Sequence, residues 1–92
     1  MREVKLSDGR TVQVKSIRWK ALRQMEADGL TPNKIAANPE KADEALLRQM
    51  EEAGIDEKTR AELFEQGLFS DAVKISRAIW AETYGHEGEE KN

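Results

Sequence analysis

Cysteine is absent from this 92-residue chain, which removes disulfide frameworks, thiolate metal sites and a sulfur nucleophile. A single histidine, His86, removes any histidine cluster, and aromatic residues make up only 5% of the chain. Long apolar runs are missing too. The longest, Ala78-Ile79-Trp80-Ala81, falls far short of the ~18 residues that crossing a bilayer needs. The start, Met1-Arg2-Glu3-Val4-Lys5, lacks the apolar block of a secretion signal, so the expected location is the cytoplasm. With only 10.4 kDa the chain has room for one small core, and no second domain is expected.

What is present is charge: 15 Lys plus Arg against 18 Asp plus Glu, for a net −3. The distribution is uneven. Residues 1–30 carry seven basic and four acidic side chains, and every later stretch has an acidic balance.

Residues 3–14 alternate, with Val4, Leu6, Val12 and Val14 separated by polar positions around Ser7-Asp8-Gly9. That pattern predicts a β-hairpin. A two-residue Asp8-Gly9 loop would set Leu6 against Thr11 and split the apolar residues between two faces. A three-residue Ser7-Asp8-Gly9 loop, with Gly9 left-handed, pairs Val4 with Val12 and keeps one apolar face; it is the preferred reading. A lone hairpin is marginal in water, so that face must lie against a helix.

Helical punctuation follows. Ser16 is expected to cap a helix over about 17–27 carrying Ile17, Trp19, Leu22 and Met25 and ending near Asp28-Gly29. Thr31-Pro32 and Asn38-Pro39 each place a cap before a proline suited to the first helical position. They predict helix over 32–53 with a break near 38, and Gly54 fits a left-handed stop. Asp56 should cap a helix over 57–66 that closes at Gly67, and Ser70 one over 71–84 with a stripe of Ala72, Ile75, Ser76, Ile79 and Thr83. Residues 86–92, with three Glu and no large apolar residue, read as a disordered acidic tail. The expected fold is therefore α+β and mostly helical: an N-terminal hairpin packed against three to four short helices.

Catalytic constellations are weak. The carboxylate pairs Asp43/Glu44, Glu51/Glu52 and Asp56/Glu57 lie on polar faces or helix starts, where the helix dipole favours acids. Ser7, Ser16, Ser70 and Ser76 have turn, cap or helix roles, and the six glycines are scattered stops rather than a phosphate-cradling loop. Metal binding lacks ligands beyond generic carboxylates. Neither an enzyme nor a cofactor is expected.

Nucleic-acid binding is the alternative function. Gly29 to Ala37 looks superficially like the opening of a helix-turn-helix, but the following helix carries Lys41 and Arg48 among five acids. Acids on a reading helix repel phosphate. Contact would fall instead to the N-terminal cations Arg2, Lys5, Arg10, Lys15, Arg18, Lys20 and Arg23, for a small regulatory protein.

Apolar surplus points elsewhere. Trp19 falls where hairpin meets helix and is expected to cap the small core. Trp80 lies about 100° from the Ile75/Ile79 stripe. It reads equally as part of a broad core or as an exposed anchor, a role in which Trp is over-represented. Leu68-Phe69 precede the same helix, and Leu68 also reads as the packed residue after a glycine stop. Leu47, beside Leu46, poses the same question.

The run Val4-Lys5-Leu6-Ser7-Asp8-Gly9-Arg10-Thr11-Val12-Gln13-Val14, followed by Ile17-Arg18-Trp19-Lys20-Ala21-Leu22, resembles the opening of tail assembly chaperones of long-tailed bacteriophages. The resemblance covers about the first thirty residues, and the remainder is similar in size and helical character. Family members often have a proline just before the tryptophan region, where this chain has Ser16. The resemblance implies a non-enzymatic helper, phage- or prophage-encoded, in the host cytoplasm. Such a helper binds the long helical tape measure protein, keeps it soluble and helps recruit tail tube subunits during virion assembly. The residues offered for that contact are Leu68, Phe69, Ile79 and Trp80, with a homo-oligomer as the competing use of the same patch.

Overall fold

The computed structural model describes residues 1–85. The expected tail at 86–92, His86 included, lies outside the described residues. An antiparallel hairpin, β1 (Arg2–Lys5) and β2 (Thr11–Val14), is followed by five helices, the second only six residues long. These are α1 (Trp19–Ala27), α2 (Pro32–Ala37), α3 (Ala42–Glu52), α4 (Glu57–Gln66) and α5 (Phe69–Tyr84), with a 3-10 turn at Pro39–Lys41. The α+β reading is correct.

Val4 pairs with Val12, and the loop between the strands is Ser7-Asp8-Gly9. The Leu6 N–H donates to the Arg10 carbonyl at 2.8 Å, and Gly9 takes φ +92°. Asp8 braces the turn by accepting from the Arg10 backbone N–H at 3.0 Å and from Arg10 Nε at 2.8 Å. Hydrogen bonding to the Arg10 backbone, then the guanidinium, holds the Asp8 carboxyl below its ordinary range. Val4, Leu6 and Val14 are buried, and both strands pack on α5.

Ser16 does not cap α1. The segment after β2 stays extended because it is fastened on both sides. The Lys15 N–H donates to the Ala53 carbonyl at 3.1 Å, and the Ile17 N–H donates to Thr83 Oγ1 at 2.9 Å. Ile17 is thereby buried, and the helix starts two residues later, after Arg18. A cap contributes about 1 kcal/mol, less than burying an isoleucine.

Two helices end on left-handed glycines in the same way. After α1, Gly29 (φ +77°) lets the Leu30 N–H donate to the Met25 carbonyl at 2.9 Å, with both side chains buried. After α3, Gly54 (φ +94°) lets the Ile55 N–H donate to the Met50 carbonyl at 3.0 Å, again over a buried pair. Each bond satisfies a carbonyl that the helix end would leave open. Asn38-Pro39 opens only the 3-10 turn, in which the Lys41 N–H donates to the Asn38 carbonyl at 3.0 Å; α3 proper starts at Ala42.

Asp56 caps α4 as expected, its Oδ1 accepting from the Thr59 N–H at 3.3 Å. Hydrogen bonding to the Thr59 side chain, then to its backbone N–H, lowers the Asp56 pKa. Ser70 is a second misplaced cap: α5 begins at Phe69, with Leu68 in the cap position and Ser70 one residue inside.

The core centres on α5, which contacts α3 and both strands. Its stripe is observed as Ile75 and Ile79, fully buried, with Ser76 donating to Gln49 Oε1 at 2.6 Å and Thr83 to the Ile79 carbonyl at 2.7 Å. Because the hairpin covers one side of α5 and α3 another, the buried arc is wider than a single stripe. Trp80 and Asp71 lie inside it.

Candidate functional site

Among the described residues, the large apolar side chains left exposed include three that stand together: Phe64 (57% exposed), Leu68 (58%) and Phe69 (65%). They line a cavity of about 140 Å³ between α3, α4 and the start of α5, with Met50 and Leu63 as its buried floor and Leu46 and Leu47 half-buried on the α3 side.

Local sequence explains the placement. On α3, Asp43, Leu46, Leu47 and Met50 follow the i, i+3, i+4, i+7 spacing of one helix face. Only Leu63 of α4 is buried, so Phe64, one residue on, projects outward over the cavity edge. Gly67 then turns the chain tightly into α5. Its N–H donates to the Leu63 carbonyl at 3.0 Å, and a Cβ there would lie 2.6 Å from the same oxygen. Absence of a side chain at 67 therefore brings Leu68 and Phe69 to the cavity.

On the far side of Gly67 the hairpin loop fixes the start of α5. Asp71, 4% exposed, accepts from the Ser7 N–H at 3.1 Å and from Ser7 Oγ at 2.8 Å. Lys74 Nζ lies 3.9 Å from the same carboxylate. Arg10 reaches Glu62 of α4 at 3.5 Å. The polar loop thus holds α4 and α5 in the spacing that leaves the apolar cavity open.

The four residues expected to bind a partner do not share a surface. Leu68 and Phe69 line the cavity, but Ile79 (0% exposed) and Trp80 (8%) belong to the core farther along α5. Trp80 stacks on Tyr84 with ring centroids 5.6 Å apart, and its Nε1–H has no hydrogen-bond partner among the described residues. Trp19 is the reverse correction: expected over the core, it is 76% exposed. Ile17 has taken the buried place at the hairpin–helix junction. Phe64 and Leu46 complete the cavity without having been singled out, although Phe64 stands beside Leu63 as Trp80 stands beside Ile79.

Electrostatics separate this region from the N-terminal part. From Ala42 to Ala72 there are nine acidic side chains and three basic ones. Asp43 lines the cavity, and no cation does. Of the N-terminal cations, Arg2 pairs with Glu82 at 3.2 Å, Arg10 with Asp8 at 2.8 Å and Arg23 with Glu26 at 2.8 Å. Arg48, on the helix that would read DNA, pairs with Glu52 at 3.1 Å. No group of three or more metal-ligating side chains occurs among the described residues, and no described helix is long and apolar enough to cross a membrane. Comparison with family models, curated proteins and solved structures gave no match for this chain.

Proposed function

We propose that this chain is a non-enzymatic tail assembly chaperone, acting in the cytoplasm of a phage-infected or prophage-carrying host. It binds the tape measure protein, keeps it soluble and helps tail tube subunits assemble around it. The observation that carries this reading is the cavity edged by Phe64, Leu68 and Phe69. Singly exposed apolar side chains are ordinary, but a contiguous set marks an interaction surface. Its shape, between helices and open along one side, suits the apolar face of a client helix. Burying the exposed half of each of the three side chains would contribute about 1 kcal/mol apiece. These three side chains therefore supply part of the hold, and the remainder must come from further client surface buried along the cavity. The opening residues 4–22, through their resemblance to such chaperones, supply the phage context.

Co-expression with a long helical tape measure protein, followed by size-exclusion chromatography with light scattering, tests the reading. The client should be soluble only with the chaperone and co-elute with it. The double variant Phe64→Asp/Phe69→Asp should lose the client while keeping its own helicity, since neither side chain is buried. A client that precipitates beside the wild-type chain would sink the proposal. Salt-sensitive binding of nucleic acid by Arg18, Lys20 and their neighbours would then be the function to examine.

A further inference from the structure

We infer that the cavity selects a basic amphipathic helix, one whose apolar stripe is flanked by lysine or arginine. This rests on reading the cavity as the client-docking surface and adds the chemistry of the segment it accepts. The floor and edges are apolar, and the one ionisable group in the lining is the carboxylate of Asp43. Glu44 follows on α3, and Glu65 follows Phe64 on α4; both are exposed, and neither forms an ion pair among the described residues, nor does Asp43. None of the three cations of this region lines the cavity beside Asp43, although Arg48 and Arg60 share a neighbouring groove with Glu44. Arg48 is held by Glu52 at 3.1 Å, Arg60 donates to the Ile55 carbonyl at 2.7 Å, and Lys58 lies outside the lining.

An apolar seam with acids beside it rewards a partner that brings apolar side chains and cations in the same geometry, and rejects one bringing carboxylates. The same argument disfavours a second copy of this chain. A two-fold contact through the cavity would bring the Asp43 carboxylates of both copies into one apolar interface with no cation in the lining to offset them.

Two synthetic 18-residue peptides form the test, sharing one leucine stripe at helical spacing and differing only in flanks of lysine or glutamate. Binding to the full chain is followed by fluorescence anisotropy, and the contact surface by amide chemical shifts. The lysine-flanked peptide should bind about tenfold or more tighter, with shifts centred on Leu46, Leu47, Phe64, Leu68 and Phe69. Asp43→Lys/Glu65→Lys should abolish the preference, while Glu3→Lys, on the hairpin, should leave it intact. Equal binding of both peptides at the cavity would overturn the charge selection and leave the docking surface standing. Shifts scattered over the acidic surface, or no binding, would remove the docking surface and this inference with it. Concentration-dependent shifts in the free chain at the same residues would assign the cavity to self-association and overturn the inference as well.

Discussion

Trp80 and Trp19 provide the sharpest test of the packing, because the core reading left open for Trp80 holds while the one expected for Trp19 does not. Trp80→Ala removes a buried indole and its stack on Tyr84, and large-to-alanine truncation of that kind costs about 3–5 kcal/mol. A chain of this size has a total stability of roughly 5–14 kcal/mol, so the loss is a large part of the whole. Trp80→Phe should cost much less. It forfeits some contact area, but it also removes the Nε1–H that has no partner among the described residues, and burial of such a group costs about 1–3 kcal/mol. Trp19→Ala should change stability by no more than about 0.5 kcal/mol. Urea unfolding followed by far-UV circular dichroism measures all three. Fluorescence supplies the independent check. Trp19→Phe leaves only Trp80, with blue-shifted emission resistant to iodide. Trp80→Phe leaves only Trp19, with red-shifted, readily quenched emission. A Trp80→Ala variant within about 1 kcal/mol of the parent would refute the broad buried arc on α5, since a truncated core Trp cannot be that cheap.

Asp71→Ala should destabilise by about 2–4 kcal/mol, because it removes two charge-assisted hydrogen bonds to Ser7 and an acid from the first turn of α5. Unchanged unfolding, with unaltered amide exchange in the hairpin loop, would show that the loop is not tethered there. Glu82 is held below the ordinary glutamate range by hydrogen bonds from the N-terminal ammonium and then Arg2. Its contribution is therefore present above the unfolded-state pKa and lost as pH falls through the lower folded value. Glu82→Gln should be less stable than the parent at neutral pH, and the two should converge as acidification protonates Glu82 in the folded chain. A gap that persists in acid would mean the pairing is not its source. Gly67→Ala should open the turn between α4 and α5, because its Cβ would meet the Leu63 carbonyl at 2.6 Å. A loss above about 1 kcal/mol is expected, with shifts at Leu68 and Phe69, and an unperturbed spectrum would contradict the tight approach.

The features legible in the sequence are those decided within a few residues. Alternation of Val4, Leu6, Val12 and Val14 allows one register with a single apolar face, and the chain adopts it. Gly29, Gly54 and Asp56 act at helix ends through bonds to residues three to five positions away, so their roles could be read without knowing the fold. Leu68 and Phe69, two of the three exposed side chains that edge the cavity, were also visible as apolar residues outside any helical stripe.

Tertiary structure decided the rest. Periodicity places Trp80 about 100° from Ile79, but how wide an arc of α5 is buried depends on how many elements pack on it. With the hairpin on one side and α3 on another, Trp80 is covered and Trp19 is left in water. Ser16 and Ser70 lost their expected caps for a related reason. Ile17 is tied to Thr83, sixty-six residues away, which keeps the chain extended past Ser16, and beside Ser70 it is Asp71 that is tied to Ser7, sixty-four away. The cavity is likewise a product of packing. Phe64, Leu68 and Phe69 come together over Met50 and Leu63 because Gly67 turns tightly and the hairpin loop fixes both helices beside it. A local pattern can state which residues are apolar; only the arrangement of neighbouring elements determines which of them water still reaches.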